Sequence, residues 1–99
     1  MVSDLPADLQ NPLASLPGWE LVEGHHLRRT FHFPDFVSAL AWLNRAGAVC
    51  EQQGHHADFL LRWGSVRVEI WTHDVDGLTA SDPLLAQALD RLPLADELS

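Results

Sequence analysis

No lysine occurs among the 99 residues, and all six basic residues are arginine. Schiff-base chemistry, a pyridoxal anchor and the lysine of a phosphate-binding loop are thereby excluded. Cysteine is almost as scarce. Cys50 stands alone, so neither an internal disulfide nor a four-cysteine zinc site can form, and the redox compartment is left open with a cytoplasmic location as the default. There is no run of about 18 apolar residues, and the opening MVSDLPADLQ has no basic start followed by an apolar stretch. Neither a membrane span nor an export signal is expected. Positive charge is also short: 6 basic residues against 14 acidic ones leave a net charge of −8. That balance repels phosphate backbones and anionic headgroups, so no direct nucleic-acid partner is expected.

What the chain does have is apolar material. Hydrophobic residues make up 46% and charged residues 20%, enough for one globular core but too little chain for a second. A single domain over residues 1–99 is expected, with 1–17 irregular or a short helix and 93–99 a frayed tail. Pro6, Pro12 and Pro17 forbid a long helix in the first segment but allow one short turn capped by Asn11, with Leu9, Leu13 and Leu16 as a small lid. Runs 19–23 and 27–33 alternate as strands do and flank a turn-like Gly24-His25-His26, predicting a hairpin. From Pro34 to Gln53 the helical spacing of Phe36, Leu40, Leu43 and Cys50 predicts the one long helix, stopped at Gly54. Residues 57–63 and 66–72 predict a second hairpin that turns at Gly64-Ser65 in a type II′ geometry. A last helix opens near Thr79, with Asp82 three residues on, Pro83 in its first turn and Leu85, Leu89 and Leu92 along one side. The fold class that follows is α+β: a single layer of four mostly antiparallel strands with helices packed on one face, in helix–hairpin–helix–hairpin–helix order.

A two-residue turn at 64–65 sets Trp63 opposite Val66, then Leu61/Val68, Phe59/Ile70 and Ala57/Thr72 on one apolar face. The other face holds Arg62/Arg67, Leu60/Glu69, Asp58/Trp71 and His56/His73, which makes two imidazoles cross-strand neighbours with Cβ atoms ~4.5–5.5 Å apart. His55 is one residue away. Three histidines beside Trp71, within reach of Glu51 and Asp82, form a site able to donate and accept protons at neutral pH. The plainer reading makes His55 and His56 exposed loop residues and His73 a strand terminator, and spacing alone does not separate the two. Three imidazoles with an open position also describe a zinc site, but adjacent side chains diverge and the gap to His73 is no ligand spacing, so no metal is expected. His25, His26 and His32 read as solvated or structural, Cys50 as a small core residue, and Thr79 and Ser81 as helix caps. Leu60 and Trp71, on the face away from the helices, would be wet in a monomer and predict self-association.

The pattern Glu51-x-x-x-His55-His56, Trp63, His73 and Asp82 resembles the pterin-4a-carbinolamine dehydratase family. Gly18-Trp19, Phe31-His32-Phe33 before Asp35-Phe36, Thr72-His73-Asp74 and Gly77-Leu78-Thr79 agree, so the likeness spans roughly residues 18–90. It implies an enzyme that removes water from a 4a-hydroxytetrahydropterin to give the quinonoid dihydropterin, with no metal or organic cofactor. Catalytic roles fall on His55, His56 and His73, supported by Asp82 and Glu51. Substrate contacts fall on 55–57 and 72–75, which adds Ala57, Thr72, Asp74 and Val75, with Trp19 as a pocket wall. The resemblance also implies a homodimer or homotetramer. The alternative is a non-catalytic binding, assembly or transcription-coactivator module on the same fold, against which the intact histidine set weighs. One departure stands out: the family usually has proline where this chain has Ala57, and its absence is expected to loosen the histidine pair.

Overall fold

A computed structural model of the chain describes residues 14–94. The short turn expected around Asn11 and Pro12 lies outside those residues, as does most of the expected tail. In order come strands β1 (Glu20–Val22) and β2 (His26–His32), helix α1 (Phe36–Gln53), strands β3 (Asp58–Arg62) and β4 (Ser65–Ile70), a 3-10 turn (His73–Val75) and helix α2 (Ser81–Asp90). The strands form one antiparallel sheet in the order β1-β2-β4-β3. Its inner face presents Leu27, Phe31, Val66, Val68 and Ile70, all buried against Ala39, Trp42, Ala46 and Cys50 of α1 and Leu85, Ala86 and Leu89 of α2. The α+β class and the one-sided helix layer thus follow the alternation of the strands.

Asp35 caps α1: its backbone is extended and its Oδ1 accepts the Ser38 N–H at 2.8 Å, a bond that holds the carboxyl below the usual carboxylate range. At the other end Gly54, with φ 63°, turns the chain out of the helix as predicted. The buried face of α1 is not the predicted one. Ala39, Trp42, Ala46 and Cys50 face the sheet, while Phe36 and Leu40 are exposed and Leu43 lies at the margin. Both stripes have helical spacing. The small side chains of Ala39 and Ala46 win because they admit close approach to the sheet, leaving Trp42 to fill the space between.

The second hairpin is also displaced from its predicted register. Leu61 pairs with Val66, Leu60 with Arg67 and Asp58 with Glu69, so the turn is Trp63-Gly64. Neither turn residue has a positive φ, which rules out type II′. The end of β2 sets this turn: the Phe33 N–H donates to the Gly64 carbonyl at 2.9 Å, and a Cβ on Gly64 would lie 3.1 Å from the Phe33 oxygen. A slip of two residues leaves each paired side chain on its predicted face but changes every partner. Trp63 moves off the apolar face into the exposed turn, and the His56/His73 ladder pair does not form because the paired strands stop at Asp58 and Ile70.

Two outcomes test this packing. Under mild oxidation Leu60→Cys/Arg67→Cys should close an intramolecular disulfide, while Leu60→Cys/Glu69→Cys should not; the reverse result would restore the other register. Trp42 packs with its ring centre 4.4 Å from that of Phe31, and its buried Nε1–H has no hydrogen-bond partner. Trp42→Ala should cost about 3–5 kcal/mol in denaturant unfolding. Trp42→Phe should cost less than half of that, because removing the unpaired N–H recovers about 1–3 kcal/mol.

Candidate active site

The end of α1 and the end of β4 meet beside the hairpin. After Gly54 the chain folds back so that the His55 N–H donates to the Cys50 carbonyl at 3.1 Å, which fixes His55 to the helix terminus. After β4, Thr72 and Gly77 bridge each other through N–H···O bonds of 2.8 and 3.3 Å, closing a loop around the 3-10 turn. Between these segments lies an open cleft of about 300 Å³, lined by His55, His56, Asp58, Trp71, Thr72, His73 and Asp74, with Gly54 at its margin. Its size and mixed lining suit a small heterocycle.

Asp82 lies beneath the cleft with no solvent exposure. A buried carboxylate is costly unless hydrogen-bonded, and this one is held from three sides. His55 Nε2 lies 2.5 Å from Oδ1, while Oδ2 accepts the Thr72 hydroxyl at 2.9 Å and the Thr79 N–H at 2.8 Å. Because Thr72 spends its one hydroxyl proton on Asp82, the Thr79 hydroxyl donates to Thr72 across 2.8 Å and itself accepts the Ser81 N–H at 3.3 Å. These bonds tie Thr79 to the first turn of α2, but the N-cap itself is Ala80 with no side-chain cap, and Ser81 is the first helical residue, so the expected caps at Thr79 and Ser81 are corrected. An Nε2–H directed at Asp82 leaves Nδ1 as the uncommitted nitrogen of His55.

The other two histidines are held less firmly. His56 Nε2 lies 2.7 Å from Glu51 Oε2, and both side chains are exposed, where such pairs hold weakly. His73 stacks on Trp71 with ring centres 4.4 Å apart and planes 9° from parallel. The structure therefore brings His55, His56, Thr72, His73 and Asp74 to one cleft and sets Asp82 under it. Glu51 reaches the site only through His56. Ala57, Val75 and Trp19 do not line the cleft. Trp19 sits in the core, its Nε1–H donating to Asp90 at 2.9 Å, so its expected place as a pocket wall is corrected.

Three contributions were not read from the sequence. Asp58 lines the cleft directly, Thr79 serves the Asp82 network, and His25 and His26, read as solvated, pack against Trp71 at ring distances of 5.5 and 5.7 Å. Only the β2–β4 register brings those last two there, and no local pattern specifies it. Among the described residues no group of three or more His, Cys, Asp or Glu side chains is placed to hold a metal ion. The Cys50 thiol is buried, and burial pushes its pKa up, as suits a core residue rather than a nucleophile.

Comparison with known proteins identifies the family. Residues 5–92 match the family model described as pterin 4 alpha carbinolamine dehydratase. A Rubrobacter xylanophilus protein that bears the name pterin-4-alpha-carbinolamine dehydratase is 46% identical over 85 residues, covering 86% of this chain and 79% of that one. A crystal structure described as a transcriptional coactivator/pterin dehydratase from Brucella melitensis superposes with a TM-score of 0.77 at 30% identity, covering 87% of this chain and 94% of the other. A pterin dehydratase-like protein identified as a RuBisCO assembly factor shares the fold, with a TM-score of 0.62 at 17% identity and coverage of 74% and 86%. The chain belongs to the pterin-4α-carbinolamine dehydratase family, a family of hydro-lyases.

Proposed function

We propose that this protein removes water from a 4a-hydroxytetrahydropterin by histidine acid–base catalysis. The observation that carries the reading is His55, fixed through Nε2 by the buried Asp82 and opening onto the same cleft as His56 and His73. In the reaction the C4a–O bond breaks, the departing oxygen takes a proton to leave as water, and a ring N–H proton is lost as the new double bond forms. One acid and one base must flank the heterocycle. His55 is the most constrained of the three imidazoles and presents Nδ1 in a fixed direction. His56 and His73 supply the opposite function from the cleft's other walls, and Thr72 and Asp74 offer polar contacts to the ring edge. Asp82 acts as a positioning residue: it touches His55, not the cleft.

A homo-oligomer accompanies this reading. Trp71, expected to be bare, is covered by imidazoles and gives no support for assembly. Support comes instead from Phe36, Val37 and Leu40 along α1, of which Val37 is 75% exposed, and from Leu60 on the outer sheet face.

Purified protein should accelerate loss of the 4a-carbinolamine over buffer; no acceleration would favour a binding module on the same fold. His55→Gln should lower kcat by about 10²–10⁴-fold. Asp82→Asn, which disturbs the orientation of His55 and removes an acceptor from the bonds at the start of α2, should lower it by roughly 10²-fold with little change in KM in protein that remains folded. Light scattering at micromolar concentration should show a species heavier than the 11.0 kDa chain, and a lone monomer would refute assembly.

A further inference from the structure

A second histidine pair lies outside the cleft, at the turn between β1 and β2. Glu23 and Gly24, with φ of 55° and 66°, fold this turn back sharply. His25 Nδ1 and His26 Nδ1 then face each other at 3.1 Å, with ring centres 5.3 Å apart and planes at 81°. Each ring's other nitrogen meets a carboxylate. His25 Nε2 lies 2.8 Å from Asp76 Oδ1, and His26 Nε2 lies 3.1 Å from Glu69 Oε2. The same Glu69 oxygen accepts Arg28 Nε at 2.9 Å and Nη2 at 2.7 Å.

The protons in this chain of contacts can be counted. Arg28 holds the Glu69 carboxyl below the usual carboxylate range, so Glu69 accepts only, and a carboxylate at Asp76 offers acceptors alone. Both Nε2 atoms therefore carry hydrogen. A neutral imidazole has one N–H, so two neutral rings would point two bare lone pairs at each other across 3.1 Å. A metal ion does not resolve the conflict. The ring-centre spacing sets the two nitrogens nearly head-on, and an ion between them would sit at half their separation, well short of the ~2.0–2.1 Å of a zinc–nitrogen bond. A proton fits.

We propose that His25 and His26 share one proton between their Nδ1 atoms and, as a singly charged pair, clasp the turn that carries His73. The link to the cleft is short. Asp76 directly follows the 3-10 turn His73–Val75, and the two rings pack on Trp71, which stacks on His73. The consequence for turnover rests on the pterin reading; the shared proton does not. The charged and titratable groups bearing on the pair are Glu69 with Arg28 and Arg67 from the sheet, Asp76 from the turn, and His73 across Trp71. Raising the pH removes the shared proton, restores the lone-pair conflict and loosens the turn. His25 and His26 are thus positioning residues for His73.

Nitrogen-detected NMR of the imidazoles in the intact protein reads the count directly: three nitrogen-bound protons on the two rings are expected, and two would overturn the proposal. Amide exchange at 73–77, corrected for intrinsic rates, should quicken by about two- to fivefold in His25→Ala and in Asp76→Asn. It should quicken in wild type as the pH is raised, but not further in the variants. Unchanged exchange in both variants would refute the clasp. In turnover, His25→Ala should lower kcat by about fivefold and leave KM within about twofold; an unchanged kcat would count against positioning. If wild type does not turn over pterin while the proton count and exchange come out as expected, the clasp stands and only the pterin reading fails.

Discussion

A carboxylate without solvent contact has to be compensated from inside the domain, and Asp82 draws its compensation from three separate parts of the chain. His55 comes from the end of α1, Thr72 from the end of β4, and Thr79 from the approach to α2. Removing any one partner leaves a buried acceptor short of a donor, at a cost typical of broken buried networks. The orientation of a reactive imidazole and the start of a structural helix are therefore one set of hydrogen bonds. Gly54 belongs to the same logic, because only a chain that leaves α1 through a left-handed residue delivers His55 to this spot.

Strand alternation survives errors that pairing does not. A shift of two residues in the β3–β4 register preserves parity, so the apolar face read from the sequence was the inner face, apart from Trp63. The partners were not legible because the Gly64 turn answers to Phe33, a residue distant in sequence. The same limit applies to α1. Two overlapping stripes had helical period, and the choice between them depends on how near the sheet lies. Local punctuation fared better: Gly54 ends α1 as read, and the Thr79–Asp82 bond stands at the start of α2, one residue ahead of its N-cap Ala80. The histidine trio converges as expected but by a different route, from segments that flank the ladder rather than from rungs within it. The pair at 25 and 26 was invisible because only the β2–β4 register carries it to Trp71.

Ala57 illustrates how one departure can be absorbed. Proline at this position would stiffen the approach to β3, and its absence was expected to loosen His55 and His56. In the structure the segment is anchored without that ring at its helix end, where the His55 N–H donates to the Cys50 carbonyl at 3.1 Å.

The three cleft imidazoles differ in freedom, and the difference bears on how acid and base roles divide. His55 has one nitrogen committed to a buried acceptor, so its protonation changes at a single, fixed atom. His56 leans on an exposed carboxylate and His73 on a ring face, so neither has a nitrogen committed to a buried acceptor. In the proposed dehydration the group that gives a proton would be left without one and the group that takes one would have an extra, so the site would have to reset through solvent. Exposed imidazoles reset readily, whereas a pinned one confers direction. One imidazole pinned to a buried carboxylate beside two that meet solvent separates these demands. Because the proposed substrate is an uncharged heterocycle, the net charge of −8 neither steers it nor repels it, leaving the proton inventory of the cleft to set the rate.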